Sequence, residues 1–179
     1  MRLVLVAATA ALVLCLPAVA AGPDLGKLVV RASDVPKGFV VVPDETGPRS
    51  NEQEWRDEPD ARRVLQRAQR LTGYEARFER GADDITSRVD LFRSTAGPRI
   101  VLDYFDLEMR KSGIRGLGRS RLAIGDEGWL FGDREGRYLT IVVWREGRVF
   151  SGVASGGVGR TRTLALARLQ QRRIAAAFG

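Results

Sequence analysis

Histidine is absent from the 179-residue sequence, and cysteine occurs once, as Cys15, inside an apolar segment near the start of the chain. Without these residue types the rest of the chain cannot build a Ser-His-Asp or Cys-His nucleophile system, nor a zinc site with nitrogen or sulfur ligands. Disulfides are excluded as well, so the core must supply the stability itself. We therefore expect no metal site and no cofactor, and any catalysis would rest mainly on carboxylates.

Residues 1–20 have the three regions of a secretory signal peptide. A positively charged beginning, an uncharged apolar run and the small-residue pattern Ala-Val-Ala at 18–20 follow one another. We expect cleavage near the bond between Ala20 and Ala21, and a secreted or extracytoplasmic protein. The alternative is an uncleaved anchor, since residues 3–21 approach the length that crosses a bilayer.

Cys15 would anchor the protein only if it became lipid-modified. Such a cysteine needs a small residue directly before it, and Leu14 occupies that position. We therefore predict that Cys15 leaves with the leader and that the protein is not a lipoprotein. Residues 21–27 then form a short tail, and residues 28–179 form one domain without a membrane span.

Lysine is scarce too: the sequence contains three lysines and 26 arginines, and its formal net charge is +7. A basic exported protein is attracted to anionic wall polymers and lipid head groups. The same arginine excess, beside abundant Ala, Gly, Val and Leu, is also typical of GC-rich coding sequence, which would give the charge no functional meaning. We expect no nucleic-acid partner.

Residue periodicity predicts the elements of the first half. A β-rich run at 39–42 precedes a polar, turn-rich stretch at 47–59, which we interpret as a surface loop. Apolar residues at three- and four-residue steps predict an amphipathic helix from Pro59 to Gly73. Alternating residues then predict two strands, at 74–80 and 85–92, joined by a hairpin loop.

The second half adds a largely apolar helix at 94–113, a Gly/Arg-rich link at 114–121 and an antiparallel meander at 129–154. A C-terminal helix follows at 160–178. The order β-α-β-β-α-β-β-β-α predicts an α+β domain. In this domain a single, hairpin-rich antiparallel sheet of five or six strands is covered by two or three helices.

Three aromatic residues near the meander, Trp129, Tyr138 and Trp144, are candidates for a ligand-binding pocket. Tyr138, Val142 and Trp144 stand at even spacing, so we expect them to share one face of a strand. If no helix covers that face, the aromatic side chains form a platform for a ligand. If a helix covers it, they belong to the core.

A glycine-rich turn opens the last helix. Gly157, Gly159, Arg160 and Arg162 together could hold a phosphate or carboxylate, because backbone N–H groups and guanidinium groups meet there. The alternative is a flexible connection, since the third glycine of a dinucleotide fingerprint is missing.

The predicted C-terminal helix contains further arginines beyond its first turn. Arg168, Arg172 and Arg173 are candidates for a basic surface that faces a membrane or a polyanion. The alternative is the solvated face of a helix packed on the sheet.

Asp126 and Glu127 stand side by side ahead of the meander. Paired carboxylates can bind a hard cation or act as acid and base, and Asp126 with Asp103 or Asp106 would make a hydrolase pair. Adjacent strand residues point to opposite faces, however, and Gly-Asp-Glu-Gly is also an ordinary polar turn.

Several motifs of the chain resemble those of small exported α+β domains from high-GC Gram-positive bacteria. They are "ASDVPKGF" at 32–39, "FRST" at 92–95, "IGDEGW" at 124–129 and "VVWREGRVF" at 142–150, together with the leader and the closing Ala/Arg-rich helix. Those families include PsbP-like folds and the extracellular sensor domains of receptor kinases. The resemblance implies an exported, non-catalytic domain and identifies no active site.

Three functional hypotheses follow. The first is an exported binding or sensor-type domain of the cell envelope, whose sheet and helices frame a shallow pocket for a small or lipidic ligand or a wall polymer. The second is a hydrolase that uses a carboxylate pair. The third is an interaction module that contacts anionic envelope polymers through its arginines.

Overall fold

The structure of the protein is a computed structural model that describes residues 23–57, 59–114, 116–133 and 138–178. The predicted leader, with Cys15 and its cleavage position, lies outside these residues. So does most of the turn predicted between the first two strands of the meander, at 132–136.

One antiparallel sheet forms the centre of the domain, and the predicted α+β class is confirmed. In the described residues its strands are β1 (Val40–Val41), β2 (Gly47–Arg49), β3 (Arg70–Arg80), β4 (Asp83–Phe92), β5 (Gly118–Leu122), β6 (Glu127–Gly132), β7 (Thr140–Glu146) and β8 (Val149–Gly156). The strand order is β1-β3-β4-β8-β7-β6-β5, with β2 also pairing with β3.

The sheet has eight strands rather than the predicted five or six, because β2 and β5 have no pattern of their own. β2 has three residues and forms only by pairing with β3. β5 lies in the Gly/Arg-rich segment predicted as a link, and its pairing with β6 makes it a strand. The meander predicted at 129–154 is confirmed by β6, β7 and β8.

The described residues contain four helices rather than two or three. They are α1 (Asn51–Asp57), α2 (Arg62–Ala68), α3 (Ala96–Lys111) and α4 (Arg160–Phe178). α3 and α4 confirm the two predicted long helices, whereas α1 replaces most of the loop predicted at 47–59. α2 ends before Gly73, because Gln69 adopts a left-handed conformation (φ 56°) and its N–H bonds back to the carbonyls of Leu65 and Gln66.

The sheet divides the hydrophobic core into two clusters, one on each face. Neighbouring strand residues such as Val142 and Val143 therefore belong to different clusters. α4 and the N-terminal segment at 25–30 cover one face, and α2 and α3 cover the other. Leu25 is buried, so the core extends into the segment predicted as a tail.

Candidate ligand-binding groove

An apolar groove lies beside α3, where this helix leaves part of its sheet face uncovered. The ring of Phe105 in α3 packs edge-on against Phe131, with centroids 5.7 Å apart, and lies 6.4 Å from the ring of Phe150. The groove next to Phe105 has a volume of about 160 Å³. Its apolar lining includes Phe105, Ile141, Val143, Phe150 and Ala154, and its charged lining residues are Glu75 and Arg88.

A second cavity, of about 150 Å³, adjoins this groove. The two share Arg88, Phe105 and Phe150 as lining residues, and the second is closed by Leu65 of α2 and Tyr104 of α3. The two volumes together reach the lower end of the range for small-molecule sites. The groove therefore suits a small ligand.

A buried ionic cluster, made of Arg49, Glu54, Arg70, Arg88 and Asp90, lies beside the second cavity, whose lining includes three of its members. Arg70 Nε donates to Asp90 Oδ1 at 2.8 Å, and Arg88 Nε donates to Asp90 Oδ2 at 2.7 Å. Arg88 Nη2 donates to Glu54 Oε2 at 2.6 Å, and Arg49 Nε donates to Glu54 Oε1 at 3.1 Å.

The carboxylate of Asp90 stays ionised in this cluster although it is fully enclosed. Burial by itself would raise the pKa of Asp90, but Arg88 and Arg70 outweigh it and hold the pKa below its ordinary value. Burial likewise opposes the charge of Arg88, and Asp90 and Glu54 raise its pKa in spite of it. Both oxygens of Asp90 are thus occupied by arginine donors.

Glu75 is the carboxylate that the ionic cluster leaves without a hydrogen bond. It faces Arg88 in the pairing of β3 with β4, but its Oε2 lies 3.8 Å from Arg88 Nη1, beyond hydrogen-bond distance. Its side chain is 17% exposed. Burial raises the pKa of Glu75, and the charges of Glu54 and Asp90 add to this effect, whereas Arg88 and Arg49 oppose it.

The predicted aromatic pocket is not assembled by the fold. Trp144 is fully buried on the α4 face of the sheet, beside Val142, and belongs to the core. Tyr138 precedes β7 and is 81% exposed, so it does not share a strand face with Trp144. Trp129 points to the opposite face, where the guanidinium of Arg119 lies 3.5 Å from its ring centroid.

At the predicted anion site, Gly157 packs against a carboxylate, whereas Gly159, Arg160 and Arg162 line an open surface pocket at the start of α4. Gly157 (φ 72°) packs so closely on Asp83 that a Cβ would overlap its carboxylate, and Gly156 packs on Asp84 in the same way. Gly156 and Gly157 therefore serve the close approach of this turn to the β3–β4 hairpin, whereas Gly159 has open space at its Cβ position. Arg160 and Arg162 are exposed beside it.

The three arginines predicted to form a basic surface do not all face solvent. Arg168 and Arg172 are exposed on α4. Arg173 instead pairs with Asp34, at 2.7 and 3.0 Å, and donates to the carbonyl of Val29 at 2.8 Å. Arg173 thus fastens α4 to the N-terminal segment.

The carboxylates proposed for a hydrolase do not converge. Asp126 and Glu127 both pair with Arg145, and Asp126 also accepts from the backbone N–H of Gly147 at 2.9 Å. Asp106 is buried against Arg119 and Arg110. Arg119, which pairs with Asp106, lies opposite Phe131 of β6. Phe131 is about 13 Å along this strand from Glu127, so Asp106 is held away from Glu127. Asp103 is exposed on α3.

The sequence does contain a signal for the groove charges. Glu75 and Arg88 lie on the polar sides of two predicted strands joined by a hairpin loop at 81–84. A tight turn at Gly81 and Ala82 would place these two opposite each other, which is the register that the structure has. Glu54, by contrast, lies in a stretch predicted as a loop.

Two further findings apply to the described part of the chain. It contains no group of three or more acidic, histidine or cysteine side chains arranged to hold a metal ion. Its helices are too short or too polar for any of them to cross a bilayer.

No protein-family model matches the sequence, and no curated protein matches it. Among solved structures, the chain is similar to the extracellular domain of PknH from Mycobacterium tuberculosis. The sequence identity is 9% and the TM-score 0.48, over 85% of this chain and 95% of that chain. That neighbour is an extracellular domain, but at this similarity neither a family nor a function follows for the present chain.

Proposed function

We propose that the protein is an exported, non-catalytic domain of the bacterial cell envelope that binds a small, mainly apolar ligand in the groove beside α3. The observation that carries the proposal is the incomplete cover of this sheet face. It leaves apolar residues such as Ile141 and Ala154 accessible beside Phe105. Export rests on the leader-like residues 1–20.

The accessible lining of the groove is almost entirely apolar, and its polar residues Glu75, Thr86 and Arg88 add little polar surface to it. A mainly apolar lining is typical of small-molecule sites. A volume of about 160 Å³ accommodates a single ring or a short chain, so it fits a small molecule or one side group of a polymer.

Binding is better supported than hydrolysis because the acidic groups near the groove are already engaged. Both oxygens of Asp90 and both oxygens of Glu54 accept hydrogen bonds from arginines. Such groups are not free to move a proton to or from a substrate. Glu75 is then the remaining acidic residue of the groove lining.

The test is ligand-observed NMR with 2-phenylethanol, a neutral probe that has one ring and one polar end. We expect saturation transfer to the probe in the full chain and its loss in Ala154→Trp, because an indole at position 154 fills the groove. Ala176→Trp, on an exposed position of α4, is the matched control and should bind the probe as the parent does. Equal signals from both variants would overturn the proposal.

The same variants can show whether a natural ligand occupies the groove. Native mass spectrometry of protein purified from its own host should show a co-purifying small molecule in the parent and in Ala176→Trp. Ala154→Trp should lack this molecule while unfolding at a similar temperature.

A further inference from the structure

We propose that the groove and the second cavity form one channel for a linear aliphatic chain, and that Phe105 determines the length of chain that the channel accepts. This inference rests on the proposed function and specifies the ligand class of the same site. A chain of a few carbon atoms fits the groove alone. A longer chain turns the Phe105 ring aside and continues into the second cavity.

The two cavities follow one another along one face of β8. The groove lies over Ala154 and over Gly152, which pairs with Arg88 of β4. Phe150 comes next on this strand face, pairs with Asp90 and lines both cavities. The path from Ala154 to Phe150 is about 13 Å long at the rise of a β-strand. Volumes of about 160 and 150 Å³ along such a path suit an extended chain better than a compact ring system.

Phe105 is the movable part of the boundary between the two cavities. Three described residues line both of them: Arg88, Phe105 and Phe150. Phe150 is a buried strand residue, and carboxylates of the ionic cluster hold the Arg88 guanidinium in place. Phe105, by contrast, is half-buried on α3, and its ring contacts those of Phe131 and Phe150. A ligand that replaces these ring contacts can therefore turn Phe105 towards solvent.

Apolar side chains lie on both sides of the Phe105 ring. They include Ile141, Val143 and Ala154 in the groove and Ala61, Leu65 and Val101 in the second cavity.

The charged residues of the second cavity do not require a polar partner from the ligand. Arg88 donates hydrogen bonds to Asp90 and to Glu54, so these three side chains satisfy one another. An aliphatic chain that enters the cavity leaves these bonds intact. Its affinity then comes from the removal of methylene groups from water, which contributes about fourfold for each buried methylene.

A series of linear alcohols from 1-butanol to 1-octanol tests the inference in the full chain, with affinities measured by chemical-shift titration. We expect the affinity to rise about fourfold per methylene while the groove fills. The rise should pause at the length that reaches Phe105, because ring contacts are lost there, and should resume for longer chains. The terminal methyl group of 1-octanol should show a nuclear Overhauser effect to the Leu65 methyl groups, and 1-butanol should show none.

Phe105→Ala removes the partition between the cavities. The ratio of the affinities for 1-octanol and 1-butanol should rise about tenfold above that of the parent, since the long chain no longer breaks two aromatic contacts. Phe105→Leu, which keeps more of the packing on α3, should shift the ratio in the same direction by a smaller factor. Leu107→Ala is the matched control, because Leu107 is exposed on the same helix and lines neither cavity. It should keep the ratio of the parent.

Ala61→Leu fills the second cavity without touching the groove, since Ala61 lines the second cavity and not the first. It should weaken the binding of 1-octanol about tenfold, because the last methylene groups lose their place, and leave 1-butanol within about twofold.

The outcomes separate the two proposals. A ratio that Phe105→Ala does not change, or 1-octanol binding that Ala61→Leu does not weaken, would show that the cavities are separate and that Phe105 does not determine chain length. Either result leaves the groove as a site. Alcohols that fail to bind the parent, or that bind Ala154→Trp as tightly as the parent, would refute the proposed function itself.

Discussion

Gly73 provides the space that the buried ion pair of Arg70 and Asp90 needs. The residue lies opposite Asp90 in the pairing of β3 with β4, and the Arg70 side chain passes over it to reach that carboxylate. A Cβ at position 73 would come closer than 3.0 Å to both Asp90 Oδ1 and Arg70 Nη2. The ionic cluster therefore depends on a position without a side chain.

Replacing Gly73 with alanine should break this pair. Removing the partner of a buried charge typically costs about 3–5 kcal/mol, and we expect Gly73→Ala to reduce the free energy of unfolding by about 3 kcal/mol. Urea denaturation measures the loss. Gly118→Ala is the control, because its Cβ would meet only the carbonyl of Gly132 at 3.4 Å. Equal losses for both variants would show that Gly73 has no special role.

Alternation along a strand predicts the side of a residue better than it predicts what covers that side. It correctly placed Glu75 and Arg88 opposite the apolar residues of their strands. Alternation does not predict that Glu54 of α1 packs against this polar side and pairs with Arg88, because the chain from 51 to 57 has no apolar periodicity. Trp144 shows the same limit, since its burial depends on the distant α4.

At the scale of elements, α4 is held to the sheet by polar as well as apolar contacts. Gln170 is fully buried; its amide donates to the Arg88 carbonyl at 2.9 Å and to Ser151 Oγ at 2.7 Å. Its own oxygen accepts from Ser87 Oγ at 2.6 Å, and Ser87 accepts from the backbone N–H of Val30 at 2.9 Å. One side chain thus connects α4, β4, β8 and the N-terminal segment.

Gln170→Ala should therefore destabilise the whole α4 face. Three hydrogen bonds at about 1 kcal/mol each are lost, so the free energy of unfolding should fall by about 3 kcal/mol. The neighbouring Gln171→Ala is the control, since Gln171 is half-buried and makes only long bonds, 3.3 and 3.4 Å, to Glu146. Its loss should stay within about 0.5 kcal/mol. Urea denaturation of both variants shows whether Gln170 stabilises α4 through its hydrogen bonds or only through ordinary packing.

Elements with strong periodicity were predicted correctly, and short ones were not. α3, α4 and the meander have clear sequence patterns. β2 and β5 have none and are strands because they pair with β3 and β6. α1 begins with a sequence signal of its own. Ser50 and Gln53 form a capping box, in which Gln53 accepts from the Ser50 N–H at 2.7 Å and Ser50 Oγ accepts from the Gln53 N–H at 3.2 Å.

At the scale of the whole molecule, a few arginines are used inside the fold, whereas most of the described arginines are exposed. Arg70 and Arg88 bind carboxylates beside the groove, and Arg173 closes the N-terminal segment onto α4. The other arginines of α4 are exposed, so the basic surface predicted on this helix stays a prediction.

The described part of the chain has its first core residue close to the predicted cleavage position. Leu25 is the first buried residue among those described and lies on the sheet face under α4, so cleavage after Ala20 would leave a very short extension before the core. The domain would stay complete after loss of the leader. An uncleaved leader would instead hold the sheet directly at the membrane surface.

We expect the exported protein to begin at Ala21 and to contain no cysteine. Intact-mass and N-terminal analysis of the protein from its own host checks both points at once, because Cys15 is the only cysteine of the sequence. Changing Ala18 and Ala20 to leucine should block processing, since the peptidase needs small residues there, and should keep the protein in the membrane fraction. Exported protein that carries an acyl group on Cys15, or that retains Met1, would contradict the release of this domain from the membrane.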